Sequence, residues 1–198
     1  YTIIKNLKKG KTDGNLGLYS DHIICGTDKL MSYIALLFNS MLIHGSSPEN
    51  MCVGTMVPIP KGKRLNLGNS DNFRGICLQS LLCKLLDMFM LKRESSNLST
   101  SHLQFGFKEK LSSSMATAIV TETIDYYQAK GGSVYALALD ATKAFDRVEY
   151  CELFRVLMKR GFNPLYTRLL LQMYVNQSIR VKFNGTHSDY FNVTNGVK

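Results

Sequence analysis

VYALALDATKAFDRV, residues Val134 to Val148, is the stretch whose reading decides the fold. It opens with an alternation. In an extended chain Val134, Ala136, Ala138 and Asp140 face one way, and Tyr135, Leu137 and Leu139 face the other. The spacing predicts a strand. Its bulky face would pack on helices. Its small face ends in a carboxylate and leaves room for something large beside Asp140. The chain then turns, and Phe145-Asp146-Arg147 follow one helical turn later. A carboxylate at the end of a buried strand is costly unless it is paired, hydrogen-bonded or bound to a metal. From these residues alone two readings stand: a plain strand-to-helix junction capped by Asp140, or the edge of a catalytic centre.

Working outward, Thr27 to His44 reads as a helix. Leu30, Ile34, Leu37 and Met41 form its stripe, with Met31, Phe38 and Leu42 beside it. Thr27 is the expected N-cap and Gly45 the stop. Met51 to Ile59 is a predicted strand. Pro58 and Pro60 cannot donate to a ladder, so the strand should be an edge or end there. Lys61 to Leu67 is a basic turn, Gly68 to Asp71 a loop, and Phe73 to Leu78 a strand pairing back on the first. This hairpin would present Lys61, Lys63 and Arg74.

Gln79 to Glu94 is helical, with Leu81, Leu82, Leu85, Leu86 and Phe89 inward. Ser113 or Ser114 should cap a helix running to Ala129 and ended by Gly131-Gly132. Glu149 to Arg160 is amphipathic and stops at Gly161. Asn163 and Pro164 supply an N-cap and first-turn pair for a helix to about Val175. Ile179, Val181 and Phe183 alternate with Arg180 and Lys182, and Tyr190 to Thr194 returns as a partner strand. Arg180 and Lys182 share a face. They would follow a nucleic-acid backbone or guard a solvated edge.

The chain has 198 residues, of which 45% are hydrophobic and 20% charged, with 4 prolines. That suffices for one globular domain with a real core, or a lobe and a half. It begins at Tyr1 and stops in mid-pattern at Lys198, so a fragment of a longer polypeptide is expected. The net charge of +9 suits a polyanionic partner. Cys25, Cys52, Cys77, Cys83 and Cys151 are odd in number and lack C-x-x-C spacing. Neither a disulfide framework nor a zinc site is expected, and the thiols read as core residues in a reducing, intracellular compartment. The sequons at Asn97, Asn176, Asn184 and Asn192 come without a signal peptide and read as chance. Met31 to Ile43, the longest apolar stretch, is too short and too amphipathic to span a membrane.

The central stretch resembles motif A of reverse transcriptases, D-x-x-x-x-(F/Y)-D, in the KAFD wording of non-LTR, LINE-type retrotransposons and their relatives. Upstream, PIPKGKRLNLGNSDNFRGICL (Pro58 to Leu78) resembles the family's IPK…NFRPISL segment, with Gly75 where the family usually has proline. Gln104 to Phe107, QFGF, resembles the QFGFR segment, although Lys108-Glu109-Lys110 replaces the usual continuation. Phe105 and Phe107 read as packing or base-stacking residues, with packing preferred. Asn195 to Lys198, NGVK, resembles the start of the motif that continues in Gln-Gly. Tyr1 to Leu18, with Lys5, Lys8, Lys9 and Lys11, reads as a flexible basic lead-in or a phosphate-contacting segment, the former preferred; its TDGNLGL (Thr12 to Leu18) is a loose match to a K-x-x-G-D-G-like element.

The resemblance implies an α+β right-hand polymerase fold, fingers plus the first part of the palm. Residues 1–78 and 150–198 would be mainly fingers, and 79–149 mainly palm. It implies RNA-directed DNA polymerisation on an RNA template and a DNA primer, with dNTP as substrate. Lys61 and Arg74 would grip the triphosphate, with Lys63 beside them. Phe145 would be the aromatic gate under the sugar, and Asp146 structural. Arg180 and Lys182 would contact nucleic acid. Asp140 and the backbone carbonyl of Ala141 would be ligands of two Mg²⁺ ions, or of Mn²⁺ in their place. The family's remaining carboxylates come from a later aromatic-x-Asp-Asp hairpin. No Asp-Asp pair occurs in the chain. The palm strand should therefore lack neighbours, leaving an apolar edge exposed and prone to association. Nuclear and cytoplasmic residence follows from the same resemblance. A decayed, nucleic-acid-binding relic and a metal-dependent nuclease using Asp140 remain as alternatives. The sequence that follows Lys198 would discriminate among them.

Overall fold

The structure of the chain, a computed structural model, describes residues 2–13, 17–62 and 66–197. It divides into two compact units, Tyr1–Asn97 with Ala144–Lys198, and Leu98–Lys143. In chain order the elements are α1 (Thr2–Lys5), α2 (Ser20–Ile24), α3 (Asp28–His44), α4 (Glu49–Cys52), β1 (Val53–Pro60), β2 (Phe73–Leu78), α5 (Leu81–Arg93), α6 (Ser113–Ala129), α7 (Tyr150–Lys159), α8 (Pro164–Val175), β3 (Ser178–Phe183), β4 (Thr186–His187) and β5 (Phe191–Asn192). A short 3₁₀ turn, Ser70–Asn72, precedes β2. The result is a mixed α/β architecture with one sheet, ordered β2-β1-β3-β4, in which β5 also pairs with β3.

The larger unit holds the sheet. β1 pairs antiparallel with the whole of β2, from Thr55 opposite Leu78 to Pro60 opposite Phe73. On its other side β1 runs parallel to β3, but only from Val53 to Met56. Past Met56 that side is open, which is where Pro58 and Pro60 stand. A proline has no N–H to give, so the ladder stops where the donors stop. Gly75 lies in mid-strand opposite Pro58 rather than in a turn. A Cβ there would come within 2.8 Å of Met56 Sδ, so the glycine accommodates a packed methionine.

Helices α3, α5 and α8 bury one apolar cluster. Phe38, Met41 and Leu42 come from α3, Leu81, Cys83, Leu85, Leu86 and Met90 from α5, and Leu169 and Met173 from α8. Leu7, Ile23, Met51 and Cys52 complete it. Each such side chain contributes about 1.5–3 kcal/mol when fully removed from water. On α3 the buried line is turned from the expected one: Leu30 is exposed, and Ile34 and Leu37 are only partly covered. Thr27 and Gly45 bound α3 as expected, with Gly45 left-handed at φ 65. The guanidinium of Arg168 on α8 donates to Leu42 O at 3.0 Å and Ile43 O at 2.8 Å, satisfying carbonyls at the end of α3. Buried Glu94 accepts from Asn97 Nδ2 at 2.9 Å and from Asn163 N at 3.3 Å, tying the end of α5 to the start of α8. Asn163 Oδ1 accepts from Leu165 N, the expected N-cap ahead of Pro164.

Leu98–Lys143 contains α6 and extended chain. The N-cap of α6 is Ser112, one residue before the expected serines, and Gly131 is left-handed just past its end. The predicted strand over Val134–Leu139 does not form: the segment is extended but belongs to no ladder. Tyr135, Leu137 and Leu139, expected to pack on helices, are 95%, 84% and 89% exposed. The alternation needs a neighbouring strand to accept its backbone bonds, and none of the described strands pairs with it. Apolar side chains are therefore exposed here, but on a segment that is not a strand and so presents no sheet edge. Cysteine placement also corrects the sequence reading. Cys52 and Cys83 are buried and Cys77 is half-buried, but Cys25 and Cys151 are exposed free thiols.

Candidate nucleotide and nucleic-acid interface

Register assembles a basic face on the sheet. Residues directly opposite one another in neighbouring strands point the same way. Arg74 lies opposite Ile59, and Arg180 lies opposite Thr55. Thr55, Val57 and Ile59 share a face of β1, so Arg74 and Arg180 share it too, and Lys182 follows Arg180 by alternation. The opposite face carries Met56, Pro58, Phe73, Gly75, Val181 and Phe183, which line an apolar hollow with Leu67.

Arg180 is held rather than loose. Its Nε donates to buried Thr55 Oγ1 at 3.4 Å, and its guanidinium lies over the Tyr190 ring at 5.2 Å. A charge stacked on an aromatic face keeps its hydrogen-bonding edge for another partner. β3 is paired on both sides at Ser178 and Ile179, with β1 and β5, whereas at Lys182 it pairs with β4 alone. Lys182 faces His187 across the β3–β4 pair. Loss of hydration, then the charges of Arg180 and Lys182, lower the pKa of His187, so it adds little positive charge at neutral pH. Thr55, Tyr190 and His187 escaped the sequence reading. Their roles come from cross-strand register, which local pattern does not report.

Lys61 and Arg74 both border the β1–β2 connection. Lys61 N donates to Asn72 O at 2.8 Å, and its ammonium donates to Asp71 O at 2.7 Å. The turn is stiffened by asparagine side chains: Asn69 Oδ1 accepts from Asp71 N, and Asn72 Nδ2 donates to Asn66 O. Arg74 is exposed on its strand. Lys63 lies outside the described residues.

Phe145 sits in a run of turns, Thr142 to Arg147, and is 56% exposed. It neither begins a helix nor joins the core. α7 starts at Tyr150 with Glu149 as its N-cap, so Asp146 does not cap it. The carbonyls of Phe145 and Val148 accept from Val197 N at 2.9 Å and Gly196 N at 2.8 Å. Two quoted motifs, KAFD and NGVK, are therefore neighbours in space. Lys198 lies outside the described residues.

Asp140 and Ala141 lie in Leu98–Lys143, at the end of the extended segment, and both are exposed. The expected burial of Asp140 is thus not found, and the desolvation argument that pointed to a metal loses its premise. Lys143, close behind, has a left-handed φ of 52, which sharpens the turn. Among the described residues no group of three or more His, Cys, Asp or Glu is positioned to hold a metal ion. In QFGF, Phe105 is half-buried and Phe107 is 91% exposed.

The described site residues thus comprise a sheet face carrying Arg74, Arg180 and Lys182, a polar turn with Lys61, and an exposed Phe145 in a turn with Asp146. A family model described as reverse transcriptase (RNA-dependent DNA polymerase) matches residues 59–198. The chain belongs to the reverse transcriptase family, RNA-directed DNA polymerases whose domains in general act on nucleotides and an RNA template.

Proposed function

We propose that the chain is the fingers and the first part of the palm of a right-hand polymerase from a non-LTR, LINE-type retrotransposon, acting inside the cell. The observation that carries this is the family match over residues 59–198 combined with Arg74, Arg180 and Lys182 on one sheet face. In this reading residues 1–78 and 150–198 are mainly fingers, and 79–149 mainly palm. Arg74 clamps phosphate oxygens of the incoming dNTP, since a guanidinium offers paired donors in a rigid fork. Lys61 adds charge once its ammonium leaves the Asp71 carbonyl. Lys63 belongs to the same group by sequence. Arg180 and Lys182 follow the backbone of the primer–template duplex. Phe145 lies under the sugar and clashes with a 2′-hydroxyl.

The donor chemistry at Asp140 fits Mg²⁺ in kind. A carboxylate and the Ala141 carbonyl are hard oxygen donors, and Mg²⁺ sites commonly use one or two carboxylates with phosphates and water. In number they fall short of a full site, because among the described residues no group of three or more His, Cys, Asp or Glu is placed to hold a metal ion. When bound, two divalent ions supply activation of the primer 3′-hydroxyl and neutralisation of the triphosphate. Asp140 and Ala141 are the residues here that would hold them.

The test is templated primer extension by the natural polypeptide that carries these residues, with Asp140→Asn as the probe. Extension should be lost while duplex binding persists. Undiminished extension by Asp140→Asn would remove Asp140 from the chemistry. Duplex binding without extension by the unaltered polypeptide would favour the decayed relic.

A further inference from the structure

Gly196 stands apart from the other left-handed glycines described. Gly10, Gly17, Gly131, Gly161 and Gly185 have positive φ, and a Cβ on any of them would meet nothing within 4 Å. At Gly45 a Cβ would meet the side chain of Arg168, which can move. At Gly196, φ 89, a Cβ would lie 3.2 Å from Asp146 Cα, 3.2 Å from Asp146 O and 3.3 Å from Phe145 O. These are backbone atoms, and they belong to the turn that presents Phe145. Glycine is needed there twice over, for its dihedral and for the closeness of the approach.

The approach is fastened from both sides. Gly196 N donates to Val148 O at 2.8 Å and Val197 N donates to Phe145 O at 2.9 Å. Tyr150 Oη reaches the carbonyls of Val193 and Asn195, each at 3.5 Å, and its ring packs edge-on against Tyr174 at 5.2 Å. The side chain of Val197 lines an apolar hollow with Leu153, Leu157, Met173 and Tyr174. The strip 193–197 is thus anchored to α7 and α8, and it bonds directly to the carbonyl of Phe145. The half-exposed Phe145 ring therefore rises from a backbone whose position the Gly196–Val197 strip fixes.

We propose that Gly196 is a positioning residue for sugar discrimination: by its close approach it seats the Phe145 turn so that the ring meets the 2′ position of the incoming nucleotide. This rests on the reading of Phe145 as the sugar gate. A methyl group at Gly196 would push the Phe145–Asp146 backbone away by a few tenths of an ångström. Displacement of about 1 Å at a reacting geometry is worth about 10²-fold, so a shift of this size should alter selectivity by about three- to tenfold.

The experiment compares the natural polypeptide with Gly196→Ala, Phe145→Val and the double variant. It measures kcat/KM for a ribonucleotide and for its deoxyribonucleotide, with circular dichroism melts to confirm folding. Gly196→Ala should raise ribonucleotide use relative to deoxyribonucleotide use by about three- to tenfold, chiefly through KM. In the Phe145→Val background it should add nothing, because the ring it seats is gone. If Phe145→Val itself leaves the ratio unchanged, the gate reading fails and the proposal falls with it. If Phe145→Val shifts the ratio but Gly196→Ala does not, the gate stands and the role of Gly196 is refuted. A Gly196→Ala protein that cannot fold would assign the glycine to the fold and overturn the proposal. Amide hydrogen exchange on the unaltered protein gives a check that needs no variant. The Gly196 and Val197 amides should be protected, and exchange at the rate of open chain would refute the clamp.

Discussion

Replacing Arg74, Arg180 and Lys182 together by glutamine tests whether the sheet face binds nucleic acid. Register puts these residues on one face of β2 and β3. Each contact to a phosphate releases a counterion and contributes about 0.7–0.9 to the slope of log K against log salt. Losing all three should flatten the slope by roughly 2–2.7. Near 0.15 M salt each contact is worth about fivefold in affinity, and the set about a hundredfold. The fold should survive the change. Arg180 gives up its stacking on Tyr190, about 0.5–1 kcal/mol, and a long bond to Thr55 worth at most about 1 kcal/mol. Arg74 and Lys182 are exposed, and such substitutions are usually within about 0.5 kcal/mol. The assay is fluorescence anisotropy of a labelled primer–template duplex over a salt series, with melts run alongside. A triple variant that melts normally and keeps the parental slope would show that the face does not touch the backbone.

Arg74→Ala in the natural polypeptide should raise KM for dNTP and lower kcat/KM, with Arg74→Lys recovering only part. Unchanged single-turnover kinetics would return Arg74 to the surface. Leu169→Ala should cost about 2–5 kcal/mol because its side chain is fully buried between α8 and its neighbours, whereas Leu171→Ala, exposed on the same helix, should cost little. Denaturant titration measures both, and equal losses would contradict the core assignment. Burial, then Asp87, then Tyr150, push the Tyr174 phenol up to about 12 from an ordinary 10.0. A raised folded pKa means that its contribution, on the order of 2–3 kcal/mol, is intact below pH 10 and is lost as pH climbs toward 12. Tyr174→Phe should therefore flatten the alkaline fall in stability, and an identical alkaline profile would count against that burial.

Local chemistry wrote much of this molecule. Caps and periodicity placed α3 between Thr27 and Gly45, and Asn163-Pro164 began α8 where expected. The β1–β2 hairpin followed from apolar runs bounded by turn residues, and its half-open end followed from two prolines that lack a donor. The family signal was also legible, since it resides in side chains at fixed short spacings. These properties depend on residues a few positions apart, so a sequence carries them directly.

What only the tertiary structure decided depends on partners distant in the chain. Val134 to Leu139 alternates as a strand should, yet alternation is only a capacity to pair, and no described strand takes up its backbone bonds. Asp140 is consequently exposed rather than buried. The shared face of Arg74 and Arg180 arises because Thr55 lies opposite Arg180, a register set by the parallel meeting of β1 and β3. The closeness of Gly196 to the Phe145 turn is likewise invisible to spacing. The physical reason is the same in each case: side-chain periodicity is a local property of the backbone, whereas register, burial and close approach are set by which distant segment arrives alongside.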